Sequence, residues 1–158
     1  MVLPATLPGI DQEQDSTSYL LFRLSDELYA TQVGQVREIA RWREPLAVPG
    51  APPALPGIIN QRGVILPIVD TRLLLGLETS PPDRSTRFVL INSNEVDMAL
   101  LVDSVVDIVQ IATERLEAVP STLDPQHGRL LQAVMRIDDR PVSLLDPGAI
   151  ITALTPGA

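Results

Sequence analysis

Sliding the first half of this 158-residue chain along itself by 69 positions lays Val33, Val36, Glu38 and Ile39 on Val102, Val105, Asp107 and Ile108. The order apolar, apolar, acidic, apolar is kept. A slide of 76 positions lays Ile58-Ile59 on Val134-Met135, Ile68-Val69-Asp70 on Leu144-Leu145-Asp146, and Leu74-Leu75 on Ile150-Ile151. An internal repeat restricts a chain of this length to two similar small units stacked against each other. Each half reads as a hairpin, an acidic-flanked strand, a second hairpin and a terminal helix that opens at an Asp.

The units are built of strands. Apolar runs at 19–24 and 28–33 are separated by Ser25-Asp26-Glu27, those at 87–92 and 95–102 by Ser93-Asn94, and those at 130–137 and 140–145 by Asp138-Asp139. Short runs with turn residues between them predict an all-β barrel or sandwich with short capping helices. Fifteen prolines agree with this, since one proline inside a helix costs about 3 kcal/mol. With 45% hydrophobic residues and only five aromatics, the core is made of small aliphatic side chains.

Residues 57–75 hold the most local detail. Gly57 to Ile59 and Val64 to Val69 flank Asn60-Gln61-Arg62-Gly63, whose glycine can take the positive φ that a hairpin loop needs. Arg62 is therefore expected at a turn tip. Asp70 is placed to cap a short helix through Leu73, Leu74 and Leu75 that stops at Gly76.

Several kinds of chemistry find no support. A net charge of -8 without a Lys/Arg cluster opposes sequence-independent binding to nucleic acid. The chain has no Cys, so disulfides and thiolate metal sites are excluded. His127, in Asp124-Pro125-Gln126-His127-Gly128, reads as a solvated loop residue and not as part of a nucleophilic triad. Asp103 and Asp107 read as solvent-facing or strand-end carboxylates, and Asp138-Asp139 as a turn. There is no phosphate loop and no calcium pattern. No cofactor and no enzymatic activity are expected. Without a signal sequence or an 18-residue apolar run, a soluble cytoplasmic protein is the default.

Taken in order, Tyr19 to Leu24, Val36-Arg37-Glu38-Ile39, Asn60-Gln61-Arg62-Gly63, Pro67-Ile68-Val69-Asp70, Leu100 to Val105 and Val142 to Asp146 resemble the bacterial CheW-like chemotaxis coupling proteins. The resemblance runs from about Ser18 to Leu154, departing at Gln61, where an apolar residue is usual, at Thr71, and at Ala99, where Gly is frequent. It implies two five-stranded SH3-like β-barrels with a hydrophobic groove between them, the first strand crossing to the second barrel. On that basis the expected division is a disordered tail over 1–17, a CheW-like domain over 18–154 and a short tail over 155–158. Within the domain, the barrels are expected over roughly 25–86 and 87–154, with strand 19–24 pairing in the second.

The same resemblance implies an adaptor that joins a chemoreceptor's signalling tip to the regulatory domain of a CheA-type histidine kinase, at membrane-associated receptor arrays. Positions Val36, Glu38, Ile39, Arg62 and Ile108 match receptor-coupling positions, and Gly57 and Ala99 match positions near kinase contacts. Two other classes stay open on the sequence alone. One is a small-ligand-sensing β-barrel with an enclosed pocket; the other is a hydrolase built on two approaching carboxylates. Between Arg41 and Gly57 the proline-rich run reads as a rigid surface connection or as a ligand for an aromatic groove, and Trp42 as a barrel-end cover or an interface anchor.

Overall fold

The computed structural model describes residues 16–154. Ten strands run in chain order: β1 (Ser16–Leu24), β2 (Glu27–Gln32), β3 (Val36–Arg41), β4 (Gly57–Gln61), β5 (Val64–Asp70), β6 (Arg87–Ser93), β7 (Val96–Val102), β8 (Ser104–Ala112), β9 (Leu131–Ile137) and β10 (Arg140–Leu145). Three short helices accompany them: α1 (Thr71–Leu74), α2 (Pro125–Gly128) and α3 (Pro147–Leu154). The strands form two five-stranded sheets, ordered β8-β1-β2-β10-β9 and β3-β6-β7-β5-β4.

These two orders are the same order. Replacing each strand by its repeat partner (β3 by β8, β6 by β1, β7 by β2, β5 by β10, β4 by β9) turns one sheet into the other, down to the single parallel pairing, β5 with β7 and β10 with β2. Each sheet also curls until its ends meet. Leu46, beyond β3, exchanges two 2.9 Å backbone hydrogen bonds with Ile58 of β4, and Glu117, beyond β8, exchanges bonds of 2.8 and 2.9 Å with Val134 of β9. An arginine secures each seam: Arg43 donates to the Asn60 carbonyl and Arg115 to that of Arg136. The result is two small closed barrels. The offset of 76 seen in the sequence recurs in the carbonyls that receive the Asp70 and Asp146 amides, those of Ala54 and Leu130, both at 2.8 Å.

The barrels divide the chain differently from the expected 25–86 and 87–154. Not one strand but a whole hairpin crosses over, and it does so in both directions: β1-β2 completes the barrel of β8, β9 and β10, while β6-β7 completes the barrel of β3, β4 and β5. The tight turn explains this, because Ser25-Asp26 keeps β2 hydrogen-bonded along β1 and the two strands move as one. Of the tail expected over 1–17, Ser16 and Thr17 are already in β1, paired with Ala112 and Ile111 of β8. Residues 1–15 and 155–158 lie outside the described residues.

Exchanged strands are buried on both faces, which is why they lack a clean polar alternation. Tyr19 and Leu21 point into one barrel, with Leu28, Met135 and Leu144. Phe88, Leu90, Ala99 and Leu101 point into the other, with Ile59 and Ile68. Leu20, Phe22, Leu24, Val89, Ile91, Met98 and Leu100, on the opposite faces of the same strands, form a third core between the barrels. Hairpin chemistry fixes the registers. Arg62-Gly63, Asn94-Glu95 and Asp138-Asp139 all have both central residues at positive φ, the backbone of a type I′ turn. The loop at Arg62 is thus two residues long, shorter than the four-residue connection expected, because Asn60 and Gln61 pair with Ile65 and Val64.

Both capping predictions hold. The Asp70 side chain accepts from the Arg72 amide at 3.2 Å and that of Asp146 from the Ala149 amide at 3.2 Å. Arg72 itself carries a buried ionic network. Its guanidinium forks onto Asp70 (Nε to Oδ1, 3.0 Å; Nη2 to Oδ2, 3.1 Å) and donates to Asp103 Oδ1 at 2.7 Å. Asp103 in turn receives the Ser25 amide at 2.7 Å, so it is not the solvated carboxylate expected but the link between α1 and the β1-β2 turn. Burial alone would lower the Arg72 pKa, yet the bonds and charges of Asp70 and Asp103 outweigh it and raise the pKa above its usual value.

Candidate functional site

Glu38 lies on β3 beside a bulge that shifts the register with β6 between Val36 and Glu38. Arg62, at φ 55°, occupies the first position of the β4-β5 turn, and the Asn60 side chain steadies that turn by accepting from the Gly63 amide at 2.9 Å. Strands β3 and β4 are the two edges of their sheet, and barrel closure brings these residues together. Arg62 forks onto Glu38, Nη2 to Oε2 at 3.1 Å and Nε to Oε1 at 3.3 Å. Gln61 Nε2 adds a bond to Oε2 at 3.0 Å, and Arg43 donates to Gln61 Oε1 at 2.8 Å. The Arg62 hydrogen bond and charge, with that of Gln61, hold the Glu38 carboxyl below its usual pKa.

Gln61, Glu38 and Arg62 form one side of an open depression of about 290 Å³, with Val64, Leu66 and Leu90 among the residues lining it and Asn92 and Asp97 on another side. Asn92 donates to Asp97 at 2.7 Å. The Arg62 side chain remains 78% exposed and that of Glu38 30%. A charged rim held in a fixed geometry beside apolar side chains is suited to gripping a folded partner; the ion pair adds little to folding, because it stands in water. Sequence reading missed Gln61 and Arg43. The signal was present at Gln61, where the departure from the usual apolar residue supplies the amide that links the two charged partners.

The other expected site residues are spread around this pair. Val36, on the same strand, is half-buried against the core between the barrels. Ile39 is 41% exposed and stands opposite Val89, while Ile108, 59% exposed, stands opposite Leu20 on the other barrel. Both isoleucines therefore share a face with residues of the inter-barrel core and occupy equivalent positions on β3 and β8. No bond joins Ile108 to the Glu38-Arg62 pair. Gly57 is buried at the start of β4, where a Cβ would meet the Leu46 carbonyl oxygen at 2.5 Å and the Pro45 side chain at 2.9 Å. Ala99 is fully buried, between Leu90 and Ile68 in the sheet. Neither can touch a partner directly; the small side chain at each serves close packing.

The remaining candidates are also settled by packing. Trp42 is half-buried and packs against the core of its barrel, with the rest of its side chain facing an open depression. The proline-rich run is a built connection, holding the Leu46-Ile58 bridge, a Leu55-to-Pro52 turn and the Ala54 carbonyl that receives the Asp70 amide. His127 is not a free loop residue. Its ring lies 6.4 Å from that of buried Tyr29 at 21°, with Nε2 3.3 Å from the hydroxyl. The hydroxyl donates to Glu27 at 2.6 Å, so Nε2 must carry the proton of the second bond. Burial first, and the Glu27 carboxylate second, raise the Tyr29 pKa far above its usual value. Among the described residues no group of three or more His, Asp or Glu side chains could hold a metal ion, and no helix is long and apolar enough to cross a membrane.

Comparison with known proteins closes the description. The model of the CheW-like domain matches residues 18–155. The chain is 26% identical over 132 residues to the chemotaxis protein CheW of Bacillus subtilis, covering 84% of this chain and 85% of that protein. It is 27% identical over 139 residues to a probable chemotaxis protein CheW of Rhizobium etli, covering 88% and 90%. It is 29% identical over 127 residues to the protein PilI of Pseudomonas aeruginosa, covering 78% and 71%. The crystal structure of the scaffolding protein TtCheW from Thermoanaerobacter tengcongensis superposes with a TM-score of 0.77 at 22% identity, covering 82% of this chain and 84% of that one, and so shares its fold.

Proposed function

The chain belongs to the CheW-like family, and from that membership we infer that it acts as a non-catalytic adaptor, holding a chemoreceptor's signalling tip against the regulatory domain of a CheA-type histidine kinase. The observation that carries this reading is the Glu38-Arg62 fork, exposed beside an apolar depression at the positions expected to couple the receptor. A receptor tip is a helical hairpin. Apolar side chains repeating along one helix face would settle toward exposed Val64 and along the margin marked by Val36 and Ile39, with polar residues of the tip meeting Glu38, Gln61 and Arg62 at the rim. Ile108 would offer the equivalent margin on the second barrel.

Kinase contact belongs, on this reading, to the surface that Gly57 and Ala99 support from beneath. Gly57 lets Leu46 lie close over β4, where Leu46 is 70% and Ile65 56% exposed. Two large aliphatic side chains held rigidly in water suit an apolar interface centre. Receptor state would then reach the kinase through the stiff barrel between the two surfaces, in the cytoplasm at receptor arrays. Pull-down of the full chain with the host's CheA-type kinase and a receptor signalling fragment tests this. A ternary complex is expected; retention of neither partner would overturn the adaptor reading.

A further inference from the structure

Around Trp42 the charge of the molecule is inverted. The chain carries a formal charge of -8, yet Arg41, Arg84 and Arg87 gather with Trp42, Asp83 and Thr86 around an open depression of about 350 Å³. Arg41 and Arg87 are register partners on β3 and β6, and like charges directly opposite each other destabilise a sheet. Among the described residues the ion pairs are made by Arg62 and Arg72, and none of these three arginines makes one, although Asp83 lines the same depression. Arg87 donates only to the backbone carbonyls of Arg84 and Thr86, which fixes its guanidinium in place. The Asp83 carboxylate accepts from the Ser85 amide at 2.7 Å and forms no ion pair with the arginines.

We propose that this arginine face is a docking surface separate from the Glu38-Arg62 site, and that it takes an acidic segment of a partner protein. Guanidinium groups present planar forks that match carboxylates two donors at a time, and Trp42 offers apolar area beside them. The depression is open and its arginines are exposed or half-exposed, so a single small anion would stay hydrated there and bind weakly. Several linked carboxylates can engage all three arginines at once. A long polyanion such as nucleic acid would meet the negative remainder of the surface, whereas a short acidic segment is repelled elsewhere and steered to this face.

The only tryptophan of the chain is at the site and reports on it directly. The full chain is titrated with a hexaglutamate peptide while Trp42 emission is followed, with hexalysine and inorganic phosphate as controls. A saturable change is expected with hexaglutamate alone, weakening as salt rises from about 50 to about 200 mM. Arg84→Glu combined with Arg87→Glu should weaken binding by about tenfold or more, while Arg136→Glu with Arg140→Glu, the same change of charge on the other barrel, should not. Should the first pair impair folding, the exposed Arg84→Gln alone should still weaken binding measurably. No saturable change, equal weakening by both pairs, or displacement of the peptide by phosphate at equal concentration would overturn the proposal.

Discussion

Replacing Gly57 by alanine tests how the surface proposed to face the kinase is built. The added methyl group would lie 2.5 Å from the Leu46 carbonyl oxygen, where ordinary contact begins at 3.4 Å, and 2.9 Å from the Pro45 Cβ. The segment must withdraw by about 0.9 Å, which takes the two 2.9 Å hydrogen bonds between Leu46 and Ile58 beyond useful length. Two such bonds contribute about 1 kcal/mol each, and overpacking typically adds about 1 kcal/mol more. Loss of glycine's freedom in the unfolded chain offsets about 0.4–1 kcal/mol of this. A net destabilisation of about 2 kcal/mol is expected, read as a lower urea midpoint at unchanged slope. Gly34→Ala is the control, because nothing lies within 4 Å of its added Cβ. Kinase affinity should fall for Gly57→Ala, since Leu46 is displaced, and stay unchanged for Gly34→Ala. If Gly57→Ala is as stable as the parent chain, the close approach at the barrel seam has been misread.

Three further outcomes are expected. Arg72→Leu leaves Asp70 and Asp103 uncompensated and should cost about 3–5 kcal/mol in chemical denaturation; a cost below that of Asp103→Asn would contradict the network. Gly63→Val places a β-branched residue at φ 85° and should cost about 1–3 kcal/mol, seen as a lower melting temperature. Stability should decline as pH rises past about 10, because the unfolded chain releases the Tyr29 proton there while the folded chain holds it, a slope of at most about 1.4 kcal/mol per pH unit. Tyr29→Phe should remove that part of the slope, and an unchanged alkaline profile would show that the phenol is not protected.

Local chemistry was readable in the sequence wherever neighbours decide it. Asp70 and Asp146 cap helices because the acceptor and the free amides are two or three residues apart, and Gly63 takes positive φ because a two-residue turn demands it. The repeat was readable too, and with it the two-barrel plan. What lay beyond reach depended on contacts distant along the chain. The reciprocal exchange of β1-β2 and β6-β7 leaves only double-sided burial as its trace, and an apolar run on its own does not name the sheet it enters. Asp103 looked solvated because Arg72 and Ser25, its partners, are 31 and 78 residues away. His127 looked free because Tyr29 is 98 residues away. At the candidate surface Glu38 and Arg62 were singled out by family resemblance, whereas their link through Gln61 to Arg43 became visible only where barrel closure sets these residues side by side.

The central claim, that Glu38 and Arg62 grip the receptor while kinase contact lies elsewhere, is tested most directly by Arg62→Glu. The side chain stands mostly in water, so the urea midpoint should be nearly unchanged. A second carboxylate beside Glu38 breaks the fork and repels it, and affinity for a receptor signalling fragment should fall about tenfold or more, with kinase affinity within about twofold of the parent chain. A folded Arg62→Glu chain that binds the receptor fragment and couples it to the kinase at full strength would contradict the account.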